Sequence, residues 1–121
     1  MAAGIYNFTI EQGATFTRTF KYKDSNGDPL DISEATALRM QIRESIDSDV
    51  VTGGTFGLSS GFTIETPAGQ TVQNQFTLLM TSAETAAFTF DRAIYDVELV
   101  NQGVTTRLLQ GKIKLSKNVT R

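Results

Sequence analysis

The chain has no cysteine and no histidine. Without cysteine there can be no disulfide, no thiolate zinc site and no cysteine nucleophile; the redox compartment stays open, with a reducing cytoplasm the simpler reading. Without histidine the commonest general base and the commonest metal ligand are both missing. Tryptophan is absent, and only three tyrosines remain to offer the exposed aromatic platform that a sugar-binding face usually displays. No stretch approaches the ~20 consecutive apolar residues that a membrane span requires. The opening residues, Met1 to Ile5, lack the basic and apolar runs of a secretory signal. A soluble chain that is not exported by that route is expected, so the N-x-T triplets at Asn7 and Asn118 read as chance matches.

What is present is an ordinary globular composition. At 121 residues, 40% hydrophobic and 20% charged, the chain suits one core, and 1–121 is expected to form a single β-sandwich domain. The net charge of −2 hides an asymmetry. Residues 101–121 hold Arg107, Lys112, Lys114, Lys117 and Arg121 with no acid, a local +5, so the rest of the chain carries −7. No aromatic residue is interleaved with these cations, which argues against nucleic-acid binding and for an acidic protein neighbour.

Alternation with period 2 recurs along most of the sequence, as strands with one buried face require. Tyr6, Phe8 and Ile10 alternate with Asn7 and Thr9; Phe16, Phe20 and Tyr22 share a face with Arg18 and oppose a row of Thr and Lys. Leu38, Met40 and Ile42 alternate with Arg39, Gln41 and Arg43. Further on, Phe76, Leu78 and Met80 form one face, as do Tyr95, Val97 and Leu99 against Asp96 and Glu98. The last strand sets Leu109, Gly111, Ile113 and Leu115 against Gln110, Lys112 and Lys114. Asp24-Ser-Asn-Gly-Asp-Pro29 is strong turn chemistry and predicts a hairpin or tight corner; its acids do not fall at the spacing of a calcium loop. Thr81 to Glu84 has the form of a capping box, predicting a helix of one or two turns before Phe88. Residues 44–61 lose the alternation and gather Gly53, Gly54, Gly57 and several serines, which predicts a mobile segment or long loop, with room for short strands around Thr55–Leu58 and Phe62–Glu65. The total is seven or eight short strands with one helical turn. That pattern predicts an all-β, mainly antiparallel β-sandwich, immunoglobulin-like or jelly-roll-like.

No constellation for catalysis stands out, so the chain is expected not to be an enzyme and to need no cofactor or metal. Asp96 and Glu98 project about 6–7 Å apart from one strand face, near the separation that glycosidases use. Acids at that spacing are more simply paired with cations such as Arg39 and Arg43 on a neighbouring strand. Serine nucleophile motifs and Gly-rich phosphate loops are absent from the sequence.

The segments Phe8-Thr-Ile-Glu-Gln-Gly-Ala-Thr-Phe16, Asp24-Ser-Asn-Gly-Asp-Pro-Leu-Asp-Ile32, Ala37-Leu-Arg-Met-Gln-Ile-Arg43, Tyr95-Asp-Val-Glu-Leu99, Leu108-Leu-Gln-Gly-Lys112 and Val119-Thr-Arg121 occur in an order that resembles a family of small structural proteins of tailed bacteriophages. The chain is more loosely similar to the N-terminal domain of phage baseplate proteins that attach fibres. These are framework motifs: a β-hairpin opening, a D-G-x-P-L-D turn and a closing strand. The resemblance implies a virion component assembled in the bacterial cytoplasm, present in many copies in a symmetric assembly and bound to other virion proteins. A tail, baseplate or fibre adaptor is the first expectation; a head decoration or neck protein, or a free-standing module for carbohydrate or host protein, is the alternative. Neither nucleic acid nor membrane is an expected partner. The residues expected to meet the partner are Gly53, Gly54 and Gly57 in the glycine-rich loop, and Arg107, Lys112, Lys114, Lys117 and Arg121 on a C-terminal cationic ridge. The competing reading of that ridge is a solvated edge whose lysines discourage sheet-to-sheet aggregation.

Overall fold

A computed structural model describes residues 4–23, 26–27, 30–66, 69 and 73–119. The described residues form nine strands and one helix in the order β1 (Gly4–Ile5), β2 (Phe8–Glu11), β3 (Phe16–Lys21), β4 (Ala35–Arg43), β5 (Val50–Leu58), β6 (Gly61–Glu65), β7 (Gln75–Met80), α1 (Ser82–Ala86), β8 (Arg92–Asn101) and β9 (Val104–Ser116).

Two groups of strands close on one core. In the larger, β5, β4, β8 and β9 run antiparallel, and β1 and β2 lie parallel along the outer edge of β9. In the smaller, β6, β7 and β3 run antiparallel. A short parallel rung, Gly57 with Gly61 and Leu58 with Phe62, joins the two and makes a single curled sheet. The third, seventh and sixth strands thus form one layer, and the fourth, eighth and ninth form the other with an extra strand beside the fourth. This is the strand order of an immunoglobulin-like sandwich of the variable type, with its first strand split and moved to the last. The fold is therefore all-β, as the alternation predicts, and of the first of the two sandwich types.

The inward faces follow the alternation. Leu38, Met40 and Ile42 from β4, Tyr95, Val97 and Leu99 from β8, and Phe76, Leu78 and Met80 from β7 are all buried in one cluster. With neither disulfide nor tryptophan at its centre, the sandwich is filled by phenylalanine, leucine and isoleucine, with Met40 and Met80 among them. Phe56, Phe62, Phe76, Phe88, Met40 and Met80 are each at most 2% exposed, so their full side-chain area contributes to burial. Where β2 and β3 approach across the layers, Phe8 stacks on Phe16 with ring centroids 5.1 Å apart, and Tyr6 meets Phe20 edge-on at 5.4 Å. The Arg18 guanidinium lies over the rings of Phe16 and Tyr6, which explains why a cation sits on the apolar face of its strand.

Two expectations are corrected, and a third, the hairpin or tight corner, is narrowed to the corner. Residues 44–61 are not a long loop: β5 occupies Val50–Leu58, β6 starts at Gly61, and only 44–49 and 59–60 connect strands. Its pairing with β4 jumps from Gln41–Thr55 to Arg43–Val50, and this bulge absorbs the glycines and hides the alternation. The Asn26-Gly27 corner does not close a hairpin, because β3 pairs with β7 while β4 pairs with β8; the corner carries the chain from one layer to the other. Asp24, Ser25, Asp28 and Pro29 of that motif lie outside the described residues. The opening is not a hairpin either, since β2 pairs with β9 and β3 with β7.

Helix α1 starts as the capping box predicts. Thr81 Oγ1 accepts from Glu84 N at 3.2 Å, and Glu84 Oε1 accepts from Thr81 N at 2.8 Å. Buried Thr85 then ties the helix to the β2–β3 turn. Its hydroxyl donates to Ala14 O at 2.8 Å and accepts from Gly13 N at 3.1 Å.

Candidate interaction surface

The two outer faces of the sandwich differ in chemistry. On the smaller layer Thr19, Thr77 and Thr63 stand side by side across three strands, with Thr19 and Thr77 hydroxyls 3.0 Å apart. That face is largely uncharged. The outer face of the larger layer carries most of the sheet's charge, arranged in ranks across β9, β8 and β4.

At one end of this larger face the charges are paired within the chain. Arg39 Nε donates to Glu98 Oε1 at 2.9 Å, because β4 and β8 set these residues directly opposite each other. Arg107 Nε lies 3.4 Å from Asp96 Oδ2. A bulge at Leu108 makes this second pair: the register moves from Val97–Leu109 to Glu98–Arg107, so Leu109 faces the core while Arg107, two residues earlier, faces out. Asp96 and Glu98 thus each have a cation on a neighbouring strand. Both pairs are substantially exposed, and such pairs contribute about 0–1 kcal/mol each.

At the other end the charges are not paired. Arg92 of β8 stands directly opposite Lys114 of β9, and Thr9 of β2 flanks Lys114 on its far side. Lys112 is one rank along, opposite Ile94, and Arg43 lies beyond Ile94 on β4. Like charges directly opposite on a sheet repel, and none of Arg92, Lys112 and Lys114 forms an ion pair among the described residues. Arg43 is held instead by Ser48 O and by Gln41 Oε1. Two open hollows of about 540 Å³ each lie here. Arg92, Lys112, Lys114 and Glu44 border the first; Ile5, Ile46, Ile94 and Arg43 are among the residues that border the second. Ile5 and Ile46 are 75% and 78% exposed.

The sequence-predicted residues therefore separate. Lys112 and Lys114 do project together, as their alternation with Ile113 requires. Arg107 is bound to Asp96, and Lys117 Nζ sits 2.9 Å from Asp91 Oδ1, where its hydrogen bond and charge hold the Asp91 carboxyl below its ordinary value. Arg121 lies outside the described residues. The ridge is thus shorter than expected and broadened by Arg92, which sequence reasoning does not connect to it. Gly53, Gly54 and Gly57 do not lie in a loop. They lie in β5, where Gly57 opposes Arg39, Gly53 takes a positive φ of 74° in the bulge, and a Cβ on Gly54 would collide with the Val51 side chain. Ile46 at the turn and Ile5 at the edge also escape sequence reasoning, since an isolated isoleucine in a strand-rich sequence reads as core.

Among the described residues no group of His, Cys, Asp and Glu is placed to hold a metal ion, and no helix is long and apolar enough to cross a membrane. No protein-family model and no curated protein matches the chain. Among solved structures, one from work on multimeric cell-adhesive interactions of VGSC beta subunits is similar at 11% identity and a TM-score of 0.49, covering 98% of this chain and 96% of that one.

Proposed function

We propose that this protein is a structural component of a tailed-phage virion, an adaptor of the tail, baseplate or fibre attachment that joins other virion proteins. The framework motifs support the virion reading. The single observation that supports docking is the unpaired cationic end of the larger face, where Arg92 and Lys114 oppose each other and Lys112 adjoins them. These like charges stand together with no ion-pair partner among the described residues, so an acidic neighbour that supplies the missing charge is favoured there. The paired charges at the other end of the same face offer no such gain. Because the cations are exposed, that gain is screened by salt.

Mass spectrometry of purified particles tests the virion reading: the protein is expected at several or more copies per particle, and its absence would overturn it. The docking face is tested with Arg92→Glu, Lys112→Glu and Lys114→Glu combined. This variant is expected to fold, since surface changes usually cost within ~0.5 kcal/mol each, and to enter particles poorly. Normal incorporation at both low and physiological salt would contradict the assignment of this face.

A further inference from the structure

An acidic turn adjoins the cationic end, with Glu44 bordering the hollow that Arg92, Lys112 and Lys114 line. The turn between β4 and β5 carries Glu44, Asp47 and Asp49, all exposed, and none forms an ion pair among the described residues. This turn is built to hold its shape. Ser48 Oγ accepts from Ser45 N at 2.8 Å and donates to Ser45 O at 2.9 Å, Ser48 N donates to Ser45 O at 3.2 Å, and the Arg43 guanidinium donates to Ser48 O. Its carboxylates are presented by an ordered backbone, so a partner that meets them spends little on ordering the turn. At its tip Ile46 is 78% exposed beside the hollow that Ile5 and Ile94 also border.

We infer that this face is the interface of a two-fold dimer of the chain. The acidic turn 44–49 of each copy lies against Arg92, Lys112 and Lys114 of the other, and the exposed isoleucines meet between the two charge clusters. A two-fold interface must be complementary to itself, with each contact made twice in exchanged roles. A basic patch beside an acidic turn, with Glu44 bordering the hollow of Arg92, Lys112 and Lys114 and Ile46 bordering the next one along with Lys112, meets that condition. An acidic patch alone or a basic patch alone does not. Ile5, Ile46 and Ile94 supply the apolar centre that stable interfaces need inside a charged rim. This inference rests on the reading that the face docks, and it names a second copy as what docks there.

Sedimentation equilibrium of the full chain reads the dimer directly. The wild type is expected to dimerise at ~50 mM salt and to dissociate toward monomer at ~500 mM, where exposed charges are screened within a few ångströms. Arg92→Glu/Lys112→Glu/Lys114→Glu turns both contacts into acid against acid, and Glu44→Lys/Asp47→Lys/Asp49→Lys turns both into base against base. Each variant alone is expected to be a folded monomer, and a one-to-one mixture is expected to form a heterodimer because both contacts regain opposite charge. Ile46→Ser, which touches no charge, removes a buried aliphatic side chain from each of the two copies and is expected to weaken the wild-type dimer about a hundredfold. A wild type that stays monomeric at ~200 µM and low salt, where a micromolar dimer would be almost complete, overturns the inference. So does a folded pair of variants that fails to associate on mixing, or a turn variant that dimerises as the wild type does. If the wild type is monomeric while the Arg92/Lys112/Lys114 variant is lost from particles, the docking face stands and only the second copy falls. If the wild type dimerises while the same variant enters particles normally, the dimer stands and docking of this face in the particle falls.

Discussion

Gly111 is where the fold asks most of a single residue. It sits on β9 opposite Tyr95, and a Cβ there would land on the carbonyl of Tyr6 as the β1–β2 segment crosses. Gly111→Ala is expected to cost about 1–3 kcal/mol, the usual range for overpacking, and to loosen Gly4–Glu11 from β9; denaturant melts and amide exchange of that segment would check it. The same crossing is fastened by Tyr95, whose hydroxyl donates to Tyr6 O at 2.6 Å. Tyr95→Phe leaves that carbonyl without its partner, an expected loss of about 1–3 kcal/mol. Burial, with Tyr6 nearby, raises the Tyr95 phenol above its ordinary pKa of 10.0. The unfolded chain therefore releases this proton first as pH rises. Its contribution to stability is whole below pH 10.0 and is lost above it, as pH climbs toward the raised folded value. Stability measured from about pH 9 upward should fall more steeply for the wild type than for Tyr95→Phe, and equal slopes would contradict the assignment. Alternation alone places Tyr95 inward, but it cannot reveal why position 111 must be glycine. That requirement comes from the segment between β1 and β2, more than a hundred residues earlier in the chain.

Secondary-structure elements are legible in the sequence wherever one face is buried and the other solvated. β4, β7 and β8 satisfy that condition along most of their length, and alternation gives the facing of each correctly. The capping box likewise announces α1, because its hydrogen bonds are local and need only residues three apart. Bulges hide the pattern. At Leu108 and between Val50 and Thr55 an extra residue or loop shifts the register, so period 2 fails while pairing continues. Thr85 shows the other limit. Its threonine is an ordinary helix residue by sequence, yet it is wholly buried and serves both Gly13 N and Ala14 O. Thr85→Val, nearly equal in volume, strands both backbone groups. A loss of about 2 kcal/mol or more in chemical denaturation is expected, whereas Thr81→Ala at the exposed cap should cost nearer 1 kcal/mol.

At the scale of the whole molecule, the sequence announces a two-layer β-sandwich and an excess of positive charge near the C-terminus. It does not announce how those charges are spent. Sheet order decides that: β4 beside β8 gives Glu98 to Arg39, the bulge gives Asp96 to Arg107, and the strand after α1 brings Arg92 opposite Lys114. What remains is one face with a satisfied end and an unsatisfied end, next to an ordered acidic turn and exposed isoleucines. A cryo-EM map of a virion that contains the protein, as proposed, tests most directly whether that face is where it docks. The predicted map shows the protein in repeated copies with Arg92, Lys112 and Lys114 packed against carboxylates of a neighbouring subunit. Density in which these three side chains face solvent, while another face of the sandwich holds the particle, would contradict the account.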